Sequence, residues 1–157
     1  SARDDTMVSL NNRLDEALKI ARYAVSFHDI TVDKQYADGV EARGSPDEVL
    51  HLLVNLITNA VQAMEKDGGT LSLTTRTSDD GVRLRIADTG CGIAPDLLGQ
   101  IFDPFFTTKD PGKGTGLGLY NVKTIVTKMR GTIHVESRVG QGTTFTITFP
   151  AVPEERT

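Results

Sequence analysis

Apolar residues recur at three- and four-residue steps in the first stretch of the chain, at Met7, Leu10, Leu14, Ala17, Leu18, Ala21 and Val25. Asn11, Arg13, Asp15, Glu16, Lys19 and Arg22 fall between them. That period is helical, so an amphipathic first helix is predicted. A short strand through Ile30 to Tyr36 follows. Ser45-Pro46-Asp47-Glu48 then supplies a capping serine, a first-turn proline and the glutamate of a capping box, which predicts a second helix running to about Glu65. Gly68-Gly69 stops it. The period changes to two at Leu71 and Leu73, and again at Val82, Leu84 and Ile86, so a hairpin is predicted with its turn at Asp79-Asp80-Gly81.

From Thr89 to Gly114 the chain is rich in Gly and Pro with little period. A stretch that long inside a compact domain is expected to be either a functional lid or a disordered linker. A third helix is predicted from Thr115 to Arg130, with Leu119, Val122, Ile125, Val126 and Met129 on one face and Gly131 ending it. Two last strands, around Thr132 to Glu136 and Thr143 to Phe149, close a single domain over residues 1–152. Residues 153–157 are expected to be a disordered tail.

Composition narrows the function classes. With 157 residues, 38% of them hydrophobic and 24% charged, the chain is long enough to bury one core. A formal net charge of -4 lacks the basic footprint that nucleic acid demands, so no nucleic-acid partner is expected. Cys91 is the only cysteine, which excludes an internal disulfide, and His28, His51 and His134 are too scattered in sequence for a zinc cluster. A reducing cytoplasm fits this usage. The apolar runs break within a few residues, so no direct membrane contact is expected. A start at Ser1 rather than methionine fits a piece of a longer parent, whose membrane anchoring is a separate question.

Three segments carry candidate chemistry. On the second helix, a turn of about 100 degrees per residue gathers His51, Asn55, Asn59 and Gln62 in one wedge, opposite Val49, Leu53, Leu56, Ile57, Ala60 and Met64. This is either a solvated face or a working one. Asparagine is a poorer helix former than the Glu, Lys or Gln usual on a solvated face, and an amide oxygen is a suitable neutral donor to Mg²⁺. Asp88 closes the strand Val82 to Ala87, just before Thr89-Gly90-Cys91-Gly92. An acceptor-only carboxylate there suits adenine's exocyclic amine and repels guanine's carbonyl, while Gly90 and Gly92 permit close backbone approach. The alternative is an ordinary turn aspartate. Third, Gly112-Lys113-Gly114-Thr115-Gly116-Leu117-Gly118-Leu119 places glycines at a helix start, where free N–H groups and the helix dipole can hold phosphate; otherwise it is a flexible hinge.

Two well-known phosphate loops do not fit that third segment. The Walker pattern needs glycine at Thr107 and Ser or Thr at Gly114, and the Rossmann pattern starting at Gly114 needs a small residue at Leu119. Between the second and third segments, Phe102, Phe105 and Phe106 are costly to leave in water and should dock against something, either at all times or only with a ligand or partner present; the alternative is a minor satellite core. Lys109 and Lys113 bring positive charge towards the phosphate site. Cys91, with no histidine near it in sequence, is expected to be a small packing residue.

Taken in this order, the segments resemble the catalytic domain of sensor histidine kinases, within the larger ATPase group that includes gyrase, the heat-shock chaperone and mismatch-repair ATPases. Residues 55–60 resemble its asparagine box, 88–93 its first glycine box, 102–106 its phenylalanine box and 114–119 its second glycine box. The resemblance implies an α/β two-layer sandwich, a mixed and mainly antiparallel sheet packed on three helices, with a mobile ATP lid over about 89–114. It implies ATP and Mg²⁺ as cofactors. Asn59 would ligate the metal with Asn55 supporting it, and Lys109 would act with them in catalysis. The nucleotide would be held by Asn55, Asn59, Asp88, Gly90, Gly92, Ile93, Phe102, Lys109, Lys113, Gly114, Thr115, Gly116, Leu117, Gly118, Leu119 and Thr143.

The expected activity is transfer of the γ-phosphoryl group to a histidine on a separate helical dimerisation and phosphoacceptor domain, for onward passage to a response-regulator receiver domain. In the hydrolysing relatives the position matching Asn55 is a glutamate that activates water, and asparagine cannot take a proton there. His28, His51 and His134 do not resemble the phosphoacceptor motif. Gln62 departs from the resemblance, since many members place a basic residue there. The alternatives are a hydrolysing ATPase or serine-directed kinase of the same fold, and a nucleotide-sensing module without catalysis.

Overall fold

The computed structural model describes residues 5–106 and 118–151, and it places the elements in the order β1 Thr6–Ser9, α1 Leu10–Ala24, β2 Ile30–Gln35, β3 Glu41–Gly44, α2 Pro46–Ala63, β4 Gly69–Ser78, β5 Gly81–Asp88, α3 Gly118–Lys128, β6 Thr132–Arg138 and β7 Gly142–Pro150. The main sheet runs β2-β4-β5-β7-β6, parallel between β2 and β4 and antiparallel elsewhere. The three helices cover one face, with α2 between α1 and α3. This is the two-layer α/β sandwich expected.

Alternation along the strands explains the layering. Leu71 and Leu73 on β4, Leu84 and Ile86 on β5, and Phe145, Ile147 and Phe149 on β7 are buried against the helices. Arg76, Arg83, Arg85 and His134 are exposed on the opposite face. α2 is the keystone of the helical layer. Ser45 caps it by accepting the Glu48 N–H at 3.3 Å, Pro46 opens its first turn, and Val49, Leu52, Leu53, Leu56, Ile57, Ala60 and Val61 are buried along one side. Each of the Val, Leu and Ile side chains among them contributes roughly 1.5–3 kcal/mol on burial.

Several boundaries differ from the sequence expectation. The first helix starts at Leu10, not Met7, because residues 6–9 pair antiparallel with β3 and Ser9 caps the helix by accepting the Asn12 N–H. In that strand Val8 points inward at 3% exposure and Met7 outward at 38%. A helical spacing between Met7 and Leu10 therefore arises by coincidence of a strand running into a helix. Neither β1 nor β3 was anticipated. Val25 is extended and caps α1, and α2 ends at Ala63, two residues before Glu65. The β4–β5 hairpin turns at Asp79-Asp80 as expected, and β6 continues two residues past Glu136. Residues 115–117 at the predicted start of the third helix, and the tail at 153–157, lie outside the described residues. No helix among the described residues is long and apolar enough to cross a membrane.

Candidate functional site

Asn55 and Asn59 stand one turn apart on α2, both half-buried, on the face that looks away from the core. Gly118 opens α3 directly beside them; a Cβ built on it would lie 3.9 Å from the Asn55 side-chain carbon. The amide face of one helix and the first described residue of another thus converge. Among the described residues no three His, Cys, Asp or Glu side chains gather as a metal cage. Neutral amide oxygens fit a hard cation that keeps several waters and nucleotide phosphates in its shell, as Mg²⁺ does.

Asp88 forms the floor at the end of β5, opposite Thr143 on β7, and is only 8% exposed. Its Oδ1 accepts two backbone N–H groups, from Gly90 at 2.9 Å and from Thr143 at 3.3 Å. Both of these bonds go to Oδ1, and Oδ2 takes no hydrogen bond from the described residues. Burial raises the carboxyl pKa above the usual aspartate range, and the two N–H bonds pull it partly back. A buried acceptor held this way is suited to receive a ligand's N–H.

The turn after Asp88 is clamped from both sides. The Cys91 N–H donates to the Ala63 carbonyl at the end of α2, and the Gly140 N–H donates to the Cys91 carbonyl. The Ile93 N–H donates to Ser137 Oγ at 2.7 Å. A side chain at Gly90 would strike the Ala63 carbonyl, and one at Gly142 would strike the Asp88 carbonyl at a φ of +128°. These glycines are needed for close backbone packing, whatever else they do.

Beyond Ile93 the chain is held differently. Leu97, Gln100, Asp103 and Phe106 each donate a backbone N–H to the carbonyl three residues before, giving successive turns with no strand or long helix. Ile101 is buried, and Phe102 meets Phe145 edge to face with ring centres 6.3 Å apart. The Lys123 ammonium sits 5.4 Å from the Phe102 ring centre. A depression of about 400 Å³ lies between Phe102, Asp103, Pro104 and α3, and none of Asn55, Asn59 and Asp88 lines it.

This geometry can be set beside known proteins. The family model described as "Histidine kinase-, DNA gyrase B-, and HSP90-like ATPase" matches residues 44–153. The chain belongs to this family. Within it, the similarity is to sensor histidine kinases. Sensor histidine kinase ZraS of Escherichia coli (strain K12) is 39% identical over 144 residues, which is 91% of this chain and 30% of ZraS. Among solved structures, the mycobacterial sensor histidine kinase MprB superposes with a TM-score of 0.82 at 26% identity, covering 96% of this chain and 99% of that one. Full-length ShkA in complex with AMPPNP gives a TM-score of 0.77 at 28% identity, covering 96% of this chain and 32% of that one. The chain spans under a third of the length of the curated relatives it matches, ZraS and the sensor kinase CckA of Brucella abortus (strain 2308) among them.

The structure sets Gly118, with Leu119 after it, beside Asn55, one turn from Asn59 on α2, and it joins Gly90 and Thr143 to Asp88, with Gly92 and Ile93 following in the same turn. Thr143 is 5% exposed and paired with Asp88. Phe102 sits on the adjoining wall. Lys109, Lys113, Gly114, Thr115, Gly116 and Leu117 lie outside the described residues.

Of the three phenylalanines, Phe102 and Phe106 pack against the core and Phe105 is 73% exposed with a φ of +68°, which the ligand- or partner-dependent docking considered above allows. One expectation needs correction. Cys91 does not pack: its side chain is exposed and only its backbone is engaged. The residue missed outright is Ser137. A signal was available, because Ile133, Val135 and Ser137 share the inward side of β6 and a serine breaks that apolar series.

Proposed function

We propose that this chain holds Mg-ATP between α2, the start of α3 and the turn at 88–93, and that it passes the γ-phosphoryl group to a histidine on a helical dimerisation domain of its parent, for onward transfer to a receiver aspartate. The observation that carries this reading is Asp88: one carboxylate oxygen is tied down by two backbone N–H groups and the other is left for a ligand. That oxygen accepts adenine's exocyclic amine and disfavours guanine. Thr143 adds a hydroxyl beside it.

Asn59 would ligate the metal, with Asn55 supporting it and Gly118 letting the N-terminal end of α3 come close. The bound metal would supply charge neutralisation at the phosphates. Lys109 and Lys113 would bring positive charge, and residues 89–114 would act as the lid. Phosphoryl transfer relies chiefly on positioning and charge stabilisation, so a site without a general base can hold the nucleotide and leave water unactivated. Asn55 has no proton-accepting capacity of that kind, so hydrolysis is not favoured here.

The test is to mix the chain with its parent's helical domain and γ-labelled ATP. Acid-labile phosphohistidine on the helical domain, with little phosphate released by the chain alone, is the expected result. Nucleotide binding without any phosphohistidine would replace the proposal with a sensing module. Steady phosphate release by the chain alone would replace it with an ATPase.

A further inference from the structure

Ser137 occupies the third inward position of β6, after Ile133 and Val135, where the period of two would otherwise place an apolar side chain. Its Oγ accepts the Ile93 N–H at 2.7 Å. The same oxygen lies 3.1 Å from the Gly142 carbonyl and 2.7 Å from Thr143 Oγ1. One hydroxyl therefore joins the root of the turn-built 94–106 segment to the strand that faces Asp88. Thr143 completes the connection, because its own N–H donates to Asp88 Oδ1.

Counting protons limits what this cluster can do. A serine hydroxyl has one proton and two lone pairs, and the Ile93 N–H already uses one lone pair. Its proton goes either to the Gly142 carbonyl or to Thr143 Oγ1. In the first state Thr143 must give its own proton to Ser137, and only its lone pairs remain for a third group. In the second state Thr143 keeps its proton for an outside acceptor. Adenine's ring nitrogens are acceptors, so an adenine beside Asp88 selects the second state.

We infer that Ser137 is a positioning residue for nucleotide binding: it anchors Ile93, the residue just before the turn-built 94–106 segment, to the β6–β7 hairpin and sets whether the Thr143 hydroxyl offers the base a donor. This rests on the reading that adenine lies beside Asp88 and Thr143. Removing the Ser137 hydroxyl strands the Ile93 N–H and frees the Thr143 hydroxyl from its fixed orientation. Neither change removes an apolar contact from the core, so the effect should fall on the site more than on the fold.

The experiment titrates the 157-residue chain and its variants Ser137→Ala and Ser137→Thr with Mg-AMPPNP, with thermal melting and amide exchange in parallel. Ser137→Ala should bind about tenfold more weakly, which corresponds to the loss of one well-placed hydrogen bond. Its Ile93 amide should exchange at least several-fold faster while the β6 and β7 amides keep their protection. Ser137→Thr, which restores the hydroxyl on a residue suited to a strand, should recover most of the affinity. Unchanged affinity in Ser137→Ala would overturn the inference. So would a loss that comes with uniformly faster exchange across β6 and β7 and is not recovered by threonine, since that is a purely structural effect. Should Ser137→Ala fail to fold, Ser137→Thr decides alone: wild-type affinity supports the inference and loss overturns it. Failure of the wild-type chain to bind Mg-AMPPNP would instead overturn the underlying nucleotide-site reading.

Discussion

The two walls beside Asp88 are built by different means. On one side, β5 pairs with β4 and β7 along its whole length, and α2 buries seven apolar side chains behind it. On the other, residues 94–106 hold together by single turns, with Ile101 buried and Phe102 leaning on Phe145. Strand ladders and helix burial are cooperative, whereas isolated turns open locally at little cost. The groups assigned to recognition, Asp88, Thr143, Asn55 and Asn59, stand on the first wall. The segment assigned to gating is on the second. A site arranged this way can keep its specificity while its cover moves.

The sharpest way to break the comparison is to damage the rigid wall where its backbones touch. Gly142→Ala should destabilise the chain by about 3 kcal/mol or more in urea unfolding, because the new methyl meets the Asp88 carbonyl at a φ that side chains rarely adopt. Stability within about 0.5 kcal/mol of wild type would mean that the β6–β7 turn is not the clamp described.

The ring pair across the two walls offers a matched test. Phe145→Ala, in the sheet and 7% exposed, should cost about 3–4 kcal/mol, as deletion of a buried aromatic ring does. Phe102→Ala, half-buried on the turn-built wall, should cost only about 1 kcal/mol in unfolding yet speed amide exchange over 94–106. Equal losses from the two variants would show that the walls unfold as one unit.

A smaller effect concerns pH. Burial raises the Asp88 carboxyl in the folded chain above its unfolded value, so the folded state holds that proton more tightly. The sign follows: Asp88 favours folding most below the ordinary aspartate range, and that contribution is lost as pH rises through its raised folded value. Asp88→Asn should therefore melt no lower than wild type at neutral pH, and the two melting curves should converge on acidification. A neutral-pH melting temperature well below wild type would mean that the ionised carboxylate stabilises the fold.

Much of this was legible in sequence where one local signal sufficed. Ser45-Pro46-Asp47-Glu48 announced α2, and the hairpin turn at Asp79-Asp80 was plain between two alternating runs. The small β1–β3 sheet was not legible, because two four-residue strands find each other across more than thirty positions and Met7 happens to fit a helical step. The order of residues from Asp88 to Ile93 marked the turn to which base reading is assigned in the proposal, but nothing local revealed what clamps it. Ala63, Ser137 and Gly140 reach it only through the packing of α2 and the β6–β7 hairpin. Which of the three neighbouring rings packs without a ligand was not legible for a related reason, since hydrophobicity alone does not distinguish Phe105 from Phe102 and Phe106.

The most direct test of the site is a calorimetric titration of the wild-type chain and Asp88→Asn with ATP and GTP in the presence of Mg²⁺. The wild type should bind ATP at one site and prefer it over GTP by about 100-fold, the discrimination expected when a buried acceptor is matched or opposed, and Asp88→Asn should lose that preference while melting no lower than wild type. Equal affinity of the wild type for both nucleotides, or an unaltered preference in Asp88→Asn, would contradict the assignment of Asp88 as the residue that reads the base.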